Sequence, residues 1–312
     1  MKVVFMGTPD FAVPSLNALL DAGHQVEAVF TQPDKAKGRG KKIICSPVKE
    51  LAVSRGIPVY QPPKVREEAV VEQIRSMAPD VIVVVAFGQI LPKAILDIPV
   101  YGCINVHGSL LPKYRGAAPV QWAVIEGEKV SGVTTMYMDT GLDTGDMIMK
   151  QEIPLAPKET GGSLYEKLAG AGAGLLIETL RRVEAGTADR EKQDGSQAGA
   201  YAKMLDKHMG NIDFTQPAAV IERLIRGLNP WPSAYTHFHG KTMKIWDADV
   251  TDQEYEGACG EIVEVTKDAL TVKTGVGALI IRELQMEGKK RMRTDAFLRG
   301  FAVKKGESFS QE

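Results

Sequence analysis

Residues 101–119 read Y-G-C-I-N-V-H-G-S-L-L-P-K-Y-R-G-A-A-P, and this segment decides how the chain can fold. Its first part predicts a β-strand, and the glycine, serine and proline that follow His107 predict a loop where that strand ends. Successive side chains of a strand point to opposite faces, so Asn105 and His107 share one face. Open parallel sheets bind ligands at the carboxyl ends of their strands, and the sequence therefore predicts a functional site at this loop.

The segment D-T-G-L-D-T-G-D, residues 139–146, adds acidic side chains in a predicted tight turn. Asparagine is a neutral hydrogen-bond donor, histidine exchanges protons near neutral pH, and Asp143 can orient the histidine or accept a proton. Together Asn105, His107 and Asp143 could stabilise and deprotonate a tetrahedral intermediate. An Asn-x-His pair alone is more often structural. Acidic turns can also bind calcium, although the EF-hand spacing with its terminal glutamate is absent.

Two kinds of β-structure are predicted along the chain. Residues 2–6 and 80–86 are apolar almost throughout, as in parallel strands covered on both faces, whereas residues 130–138 alternate and predict an antiparallel strand near a sheet edge. Beyond Ala234, five alternating segments predict a small barrel: residues 235–239, 241–246, 260–265, 269–273 and 278–285. The predicted fold class is therefore α/β, a Rossmann-like mostly parallel sheet with helices on both faces, plus a C-terminal OB-like antiparallel β-barrel.

Composition restricts the possible classes of function. The 312 residues include 38 lysines and arginines against 39 aspartates and glutamates, so any nucleic-acid surface must come from local clustering of charge. Three distant cysteines predict neither a disulfide framework nor a zinc site, and they favour a reducing, cytoplasmic setting. No apolar run is long enough for a signal-peptide core or a membrane span. The lone Gly7 after the first strand is not a dinucleotide fingerprint, so NAD binding is rejected.

Positive charge is concentrated in two places. Residues 32–47 are predicted to form a glycine-containing loop of many conformations, with the cations Lys35, Lys37, Arg39, Lys41 and Lys42. A second group is predicted in the loop after the last strand, namely Lys289, Lys290, Arg291 and Arg293. Each group could be a solvated surface, but the first leaves the same sheet edge as the predicted site, which favours a polyanionic substrate. Arg115 is either an anion contact or a cation that braces its loop.

The segment N-V-H-G-S-L-L-P-K-Y-R-G-A-A-P, followed by D-T-G-L-D-T-G-D, resembles the formyltransferases that use 10-formyltetrahydrofolate. The opening G-T-P-D-F-A-V-P resembles the same family. The resemblance implies catalytic roles for Asn105, His107 and Asp143, a folate donor and no metal ion. It also implies folate contacts along two loops, at Ser109, Leu110, Leu111 and Pro112 and at Phe87, Gly88, Gln89 and Ile90.

Within that family, the members that act on methionyl-tRNA carry a basic loop at this position and a C-terminal barrel that helps to hold the tRNA. The resemblance therefore implies initiator methionyl-tRNA as the partner, with a catalytic domain over residues 1–189, a linker over 190–206 and a tRNA-binding domain over 207–312. The basic segment and N-P-W-P-S-A-Y, residues 229–235, favour these members over those that act on UDP-amino sugars. A noncatalytic RNA-binding relative is the other alternative. A cytoplasmic monomer without membrane contact is expected.

Overall fold

A computed structural model of the protein describes residues 1–37 and 42–310. The chain forms two compact units, and each is discontinuous in sequence. The first contains residues 1–119, 130–154 and 165–202, and the second contains residues 120–129, 155–164 and those from 203 onward. The domain limits drawn from the sequence, 1–189, 190–206 and 207–312, stay a prediction.

Strands and helices alternate through the first unit, and strands predominate in the second. Within the described residues the strands are β1 (Lys2–Gly7), β2 (Gln25–Phe30), β3 (Lys35–Lys37), β4 (Lys42–Ile44), β5 (Val59–Tyr60), β6 (Val81–Val85), β7 (Cys103–His107), β8 (Val130–Tyr137), β9 (Met147–Pro154), β10 (Ala234–Phe238), β11 (Lys241–Thr251), β12 (Ile262–Val265), β13 (Leu270–Lys273), β14 (Ala278–Met286) and β15 (Met292–Arg293). The α-helices are α1 (Val13–Asp21), α2 (Pro47–Ser54), α3 (Glu68–Ser76), α4 (Lys93–Leu96), α5 (Pro119–Ile125), α6 (Gly161–Glu184), α7 (Ala218–Gly227) and α8 (Thr294–Gly300).

The first unit is built on a mixed sheet. Its strand order is β5-β2-β1-β6-β7-β8-β9, in which the first five strands are parallel and β8 and β9 are antiparallel to their neighbours. The direction of strand addition reverses between β1 and β6. Open α/β sheets bind ligands in the crevice at the carboxyl ends of the strands beside such a reversal.

Valine-rich strands explain why this sheet is central. All five residues of β6 are buried, and its side chains alternate between the two faces. On one face, Ile82 and Val84 belong to the same core as Val71 and Ile74 of α3, while Val83 is equally buried on the other face. A strand covered on both sides needs apolar residues at every position. The predicted Rossmann-like sheet with helices on both faces is confirmed.

The second unit is an antiparallel sheet in the order β10-β11-β14-β13-β12, with β15 paired to β14. Residues 307–310 hydrogen-bond to both of its edges. The N–H and C=O of His237 at the end of β10 exchange hydrogen bonds of 3.1 and 3.0 Å with Ser310. The Ile262 N–H donates to the Glu307 C=O at 2.8 Å, and the Phe309 N–H donates to the Gly260 C=O at 2.9 Å. These bonds close the sheet into the predicted antiparallel barrel.

Three details differ from the sequence-based expectation. Part of the predicted basic loop is regular, because β3 and β4 pair as an antiparallel ribbon. The strand predicted over residues 241–246 continues to Thr251, since β14 supplies partners from Met243 to Thr251. Arg293 lies in β15 rather than in a loop, and α8 follows it directly. Short pairings of this kind depend on a distant strand, and the local pattern does not reveal them.

The aromatic core under the closing segment gives a test of barrel closure. Phe309 is 5% exposed, and its ring centroid lies 5.1 Å from that of Phe238 and 5.8 Å from that of Phe214. We expect Phe309→Ala to lower the free energy of unfolding of this unit by about 3–5 kcal/mol, through lost burial and the cavity left behind. Urea unfolding measures this, with Lys305→Ala on the exposed surface as the control. A change below about 1 kcal/mol would contradict closure by residues 307–310.

Candidate active site

Strand β7 delivers Asn105 and His107 to the carboxyl edge of the sheet. It pairs with parallel β6 on one side and antiparallel β8 on the other, with Asn105 opposite Val84 and Met136. Asn105 is 8% exposed, yet within the described residues its side-chain amide makes no hydrogen bond. Buried polar groups almost always have a partner. The Asn105 amide is therefore available to a ligand.

The two ring nitrogens of His107 have different surroundings. Nε2 lies 2.9 Å from the Tyr114 C=O. A carbonyl oxygen can only accept, so Nε2 carries the hydrogen. Nδ1 lies 3.8 Å from Oδ2 of Asp143 and is the nitrogen left to take up or release a proton. The structure thus brings together the histidine and the carboxylate that the sequence placed 36 positions apart.

Asp143 is held by its backbone and by its side chain. Its φ angle is +55°, in the left-handed region that L-residues other than asparagine and aspartate rarely adopt. Oδ2 accepts a hydrogen bond of 2.9 Å from the Gly116 N–H. Gly116 itself has φ +125°, and a Cβ at this position would lie 2.5 Å from the Tyr201 ring. The conformation at Gly116 therefore requires glycine, and it aims the amide that fixes the carboxylate.

The predicted folate loop after β7 is held by hydrogen bonds from side chains on its buried side. The Ser109 hydroxyl donates to the Lys113 C=O at 2.6 Å. The Thr134 hydroxyl donates to the Ser109 C=O at 2.7 Å and accepts from the Leu111 N–H at 3.1 Å. Ser109 and Leu111 are buried, whereas Leu110 and Pro112 are partly exposed. Folate contacts along this loop stay a prediction, and the side chains that present surface for them are Leu110 and Pro112.

The second predicted folate loop, residues 87–90, follows β6 at the strand-order reversal. Phe87 is buried, and its C=O accepts hydrogen bonds of 3.2 Å from the Thr8 hydroxyl and the Gln32 amide. The Gln89 side chain accepts from the Val65 N–H at 2.7 Å, so it braces the loop. Gly88 and Ile90 are exposed, the latter by 74%. This loop therefore exposes Gly88 and Ile90, and its contacts with folate stay a prediction.

Arg115 braces its loop through a neutral side chain. Its Nε and Nη2 both donate to Oε1 of Gln193, at 3.0 and 2.8 Å. The Nε2 atom of Gln193 donates to the C=O groups of Asp143 and Gly145, both at 2.8 Å. Sequence reasoning missed Gln193, because it lies in a polar segment that predicts only a loop. A glutamine among charged neighbours carries no local signal of this contact.

The predicted RNA-contacting cations fall in three groups. Arg39 and Lys41 lie outside the described residues, and only the backbone is described at Lys37 and Lys42. Lys35, Lys289 and Lys290 are exposed and make no ion pair within the described part of the chain. Arg291 pairs with Glu283 and lies 4.8 Å from the centroid of the Trp246 ring, and Arg293 pairs with Asp295 at 3.4 Å. Two of the four barrel cations are thus partly neutralised.

Metal-ligand clusters and membrane-spanning helices are both absent from residues 1–37 and 42–310. No group of three or more histidine, cysteine, aspartate and glutamate side chains there could hold a metal ion. In the same residues, no helix has the length and apolarity needed to cross a bilayer.

Comparison with known proteins matches one family in both the N-terminal and the C-terminal part of the chain. The family model described as formyl transferase matches residues 1–180, and that described as formyl transferase, C-terminal domain, matches residues 204–302. A methionyl-tRNA formyltransferase of Agathobacter rectalis is 57% identical, with 99% of this chain and 100% of the relative covered. One from Lachnospira eligens is also 57% identical, with 98% of each covered. Among solved structures, the sugar 3N-formyl transferase WlaRD matches with a TM-score of 0.67 and 21% identity, over 93% of this chain and 99% of that one.

The turn that carries Asp143 gives a test of its packing. A Cβ at Gly145 would lie 1.7 Å from the Tyr137 C=O. We expect Gly145→Ala to destabilise the first unit by about 1–3 kcal/mol, because backbone must move to admit the methyl group. Gly174→Ala is the matched control, since no atom lies within 4 Å of its Cβ position in α6. It should instead stabilise by about 0.5–1 kcal/mol. Thermal unfolding of both variants measures the difference, and equal effects would contradict this packing.

Proposed function

The chain belongs to the formyl transferase family, and from that premise we propose that it transfers the formyl group of 10-formyltetrahydrofolate to the α-amine of initiator methionyl-tRNA. Whole-length relatives named for methionyl-tRNA support this acceptor. The observation that carries the chemistry is the Asn105 amide, which has no hydrogen-bond partner among the described residues and shares a strand face with His107, with Asp143 beside the imidazole. The product is N-formylmethionyl-tRNA, which serves translation initiation.

These three side chains fit addition of an amine to a formyl carbon. The addition places negative charge on the formyl oxygen, and that charge requires donors already in position. Asn105 offers an amide N–H, and His107 protonated at Nδ1 offers a second donor together with a positive charge. Asp143 stabilises the cation from 3.8 Å and, through a water, helps the amine proton to reach the departing nitrogen. No nucleophilic side chain is needed, because the amine attacks directly.

We place the formyl donor at the edge of the sheet on which Asn105 lies. It supplies the formyl carbon, bonded to a nitrogen that must leave. We propose that exposed groups of the two loops hold its pterin and benzoyl parts: Gly88, Ile90, Leu110 and Pro112. The remaining four predicted positions, Phe87, Gln89, Ser109 and Leu111, act by fixing the backbone of these loops. A loop fastened from inside presents its backbone groups in one arrangement, which suits recognition of a planar heterocycle.

We assign phosphate contacts to the two basic groups of the sequence. Lys35, Lys289 and Lys290 are exposed without an ion pair among the described residues, so their charges are available to an anion. Arg39 and Lys41 join them on the strength of the resemblance, together with Lys37 and Lys42. Arg291 and Arg293 would first have to exchange a carboxylate partner for a phosphate. We further propose that the enzyme is a cytoplasmic monomer. Light scattering of the purified protein tests whether it is monomeric.

The acceptor is tested by a transfer assay with labelled formyl donor. We expect label on methionyl-tRNA and none on uncharged tRNA, because the accepting atom is the esterified α-amine. Free methionine should react far more slowly, since it lacks the phosphates that bind the cations. A UDP-amino sugar is the matched alternative acceptor. Faster transfer to the sugar than to methionyl-tRNA would overturn the proposed function.

Loss of a donor to the oxyanion should lower the rate of the chemical step. We expect Asn105→Ala and His107→Ala each to reduce kcat by roughly 100- to 1000-fold with little change in folding. Steady-state kinetics and circular dichroism measure the two quantities. Asn17→Ala, the same substitution at a partly exposed position of α1, is the control and should leave kcat unchanged. Near-normal turnover in either site variant would remove the mechanism.

A further inference from the structure

We propose that Gln193 is a positioning residue of this active site: its side-chain amide joins the loop of Arg115 to the turn of Asp143 and so sets the carboxylate beside His107. This inference rests on the proposed function for its activity readout. Gln193 contacts neither of the other two proposed catalytic side chains by any hydrogen bond of the described residues. It therefore acts through Asp143.

Two hydrogen bonds from Arg115 and two to backbone C=O groups converge on one amide group, whose Nε2 also lies 3.8 Å from the Met136 sulfur. Oε1 accepts from Arg115 Nε at 3.0 Å and from Nη2 at 2.8 Å. Nε2 donates to the C=O groups of Asp143 and Gly145, both at 2.8 Å. The two functional loops, residues 108–116 and 139–146, are distant in sequence, and this amide contacts both. With the bond from the Gly116 N–H to Asp143 Oδ2, it completes a closed ring of contacts around the carboxylate.

This ring of contacts explains why the Gln193 side chain is needed to hold Asp143. Asp143 has φ +55°, a left-handed conformation that aspartate tolerates but that still costs an L-residue free energy relative to the right-handed one. Gln193 holds the C=O of that same residue, while Gly116 holds the end of its side chain. If the C=O were released, the backbone at Asp143 could relax and Oδ2 would leave its place 3.8 Å from His107 Nδ1.

Glutamine is the side chain whose chemistry matches this position. A guanidinium offers only donors, and the two C=O groups offer only acceptors. A side chain between them needs an acceptor at one atom and two donors at the other, which is the amide of glutamine. Glutamate would satisfy Arg115 but would set a carboxylate against two C=O oxygens. Leucine has a similar size and would leave all four partners without their bonds.

The first test separates positioning from binding. We expect Gln193→Leu and Gln193→Glu to lower kcat about 100-fold, as a misplacement near 1 Å can do, while KM for methionyl-tRNA and for the folate donor changes less than about twofold. Gln197→Ala is the control, because among the described residues its side-chain amide donates only to Asp194, in the same exposed segment. Unchanged kcat in Gln193→Glu would overturn the inference, and so would a loss confined to KM.

The second test asks whether the effect passes through Asp143. Single-turnover rates are compared for Gln193→Leu, Asp143→Asn and the double variant. If Gln193 acts by holding Asp143, the rate of the double variant should lie within about twofold of the rate of Asp143→Asn. The effects of two substitutions are not additive when the residues act through one another. If the rate loss of the double variant equals the product of the two single losses, the inference is overturned. Should Gln193→Leu fail to fold, Gln193→Glu keeps the contact with Arg115 and takes its place in the cycle.

If the proposed function itself is wrong, the transfer assay gives a different result from the one that removes the role of Gln193. In that case the unmodified enzyme itself would transfer no formyl group to methionyl-tRNA, and all variants would be equally inactive on it. An active unmodified enzyme with fully active Gln193 variants would leave the proposed function intact and remove only the positioning role.

Discussion

The site depends on the pairing of β7 between a parallel and an antiparallel neighbour. Hydrogen bonds to β6 and β8 on both sides fix the register of β7, so the side chains of Asn105 and His107 must leave the same face. A slip of one residue would turn both to the opposite face. The same pairing carries Thr134 of β8 opposite His107, where its hydroxyl fastens the loop that follows β7. One constraint on the backbone thus positions the amide, the imidazole and the loop.

A second constraint brings the carboxylate to this strand. Strand β8 runs antiparallel to β7, so its last residue, Tyr137, lies opposite Ile104 near the start of β7, and the turn that carries Asp143 follows. The turn is compact because Gly145 lies against the Tyr137 C=O. The hydrogen bond of 2.9 Å from the Gly116 N–H to Asp143 Oδ2 then joins this acidic turn to the loop that follows β7.

Much of this arrangement was predictable from the sequence, for a physical reason. Burial of β6 on both faces requires its unbroken valine-rich run, and alternation along β7 places Asn105 and His107 together. Such signals are local. Gln193 could not be predicted, since its partners lie far away in the chain and any loop may contain a glutamine. The inward-facing hydroxyl of Ser109 was hidden for the same reason, because its partner is a C=O group that no side chain identifies.

The closure of the barrel by residues 307–310 has a consequence for the nascent chain. Strands β10 and β12 keep unpaired edges until this segment has emerged from the ribosome, after β15 and α8. Unpaired strand edges are templates for pairing with other chains. The first unit has all of its residues before 203, so it can complete its sheet earlier. The edges of β10 and β12 are thus open to pairing with other chains during synthesis, until residues 307–310 close the barrel.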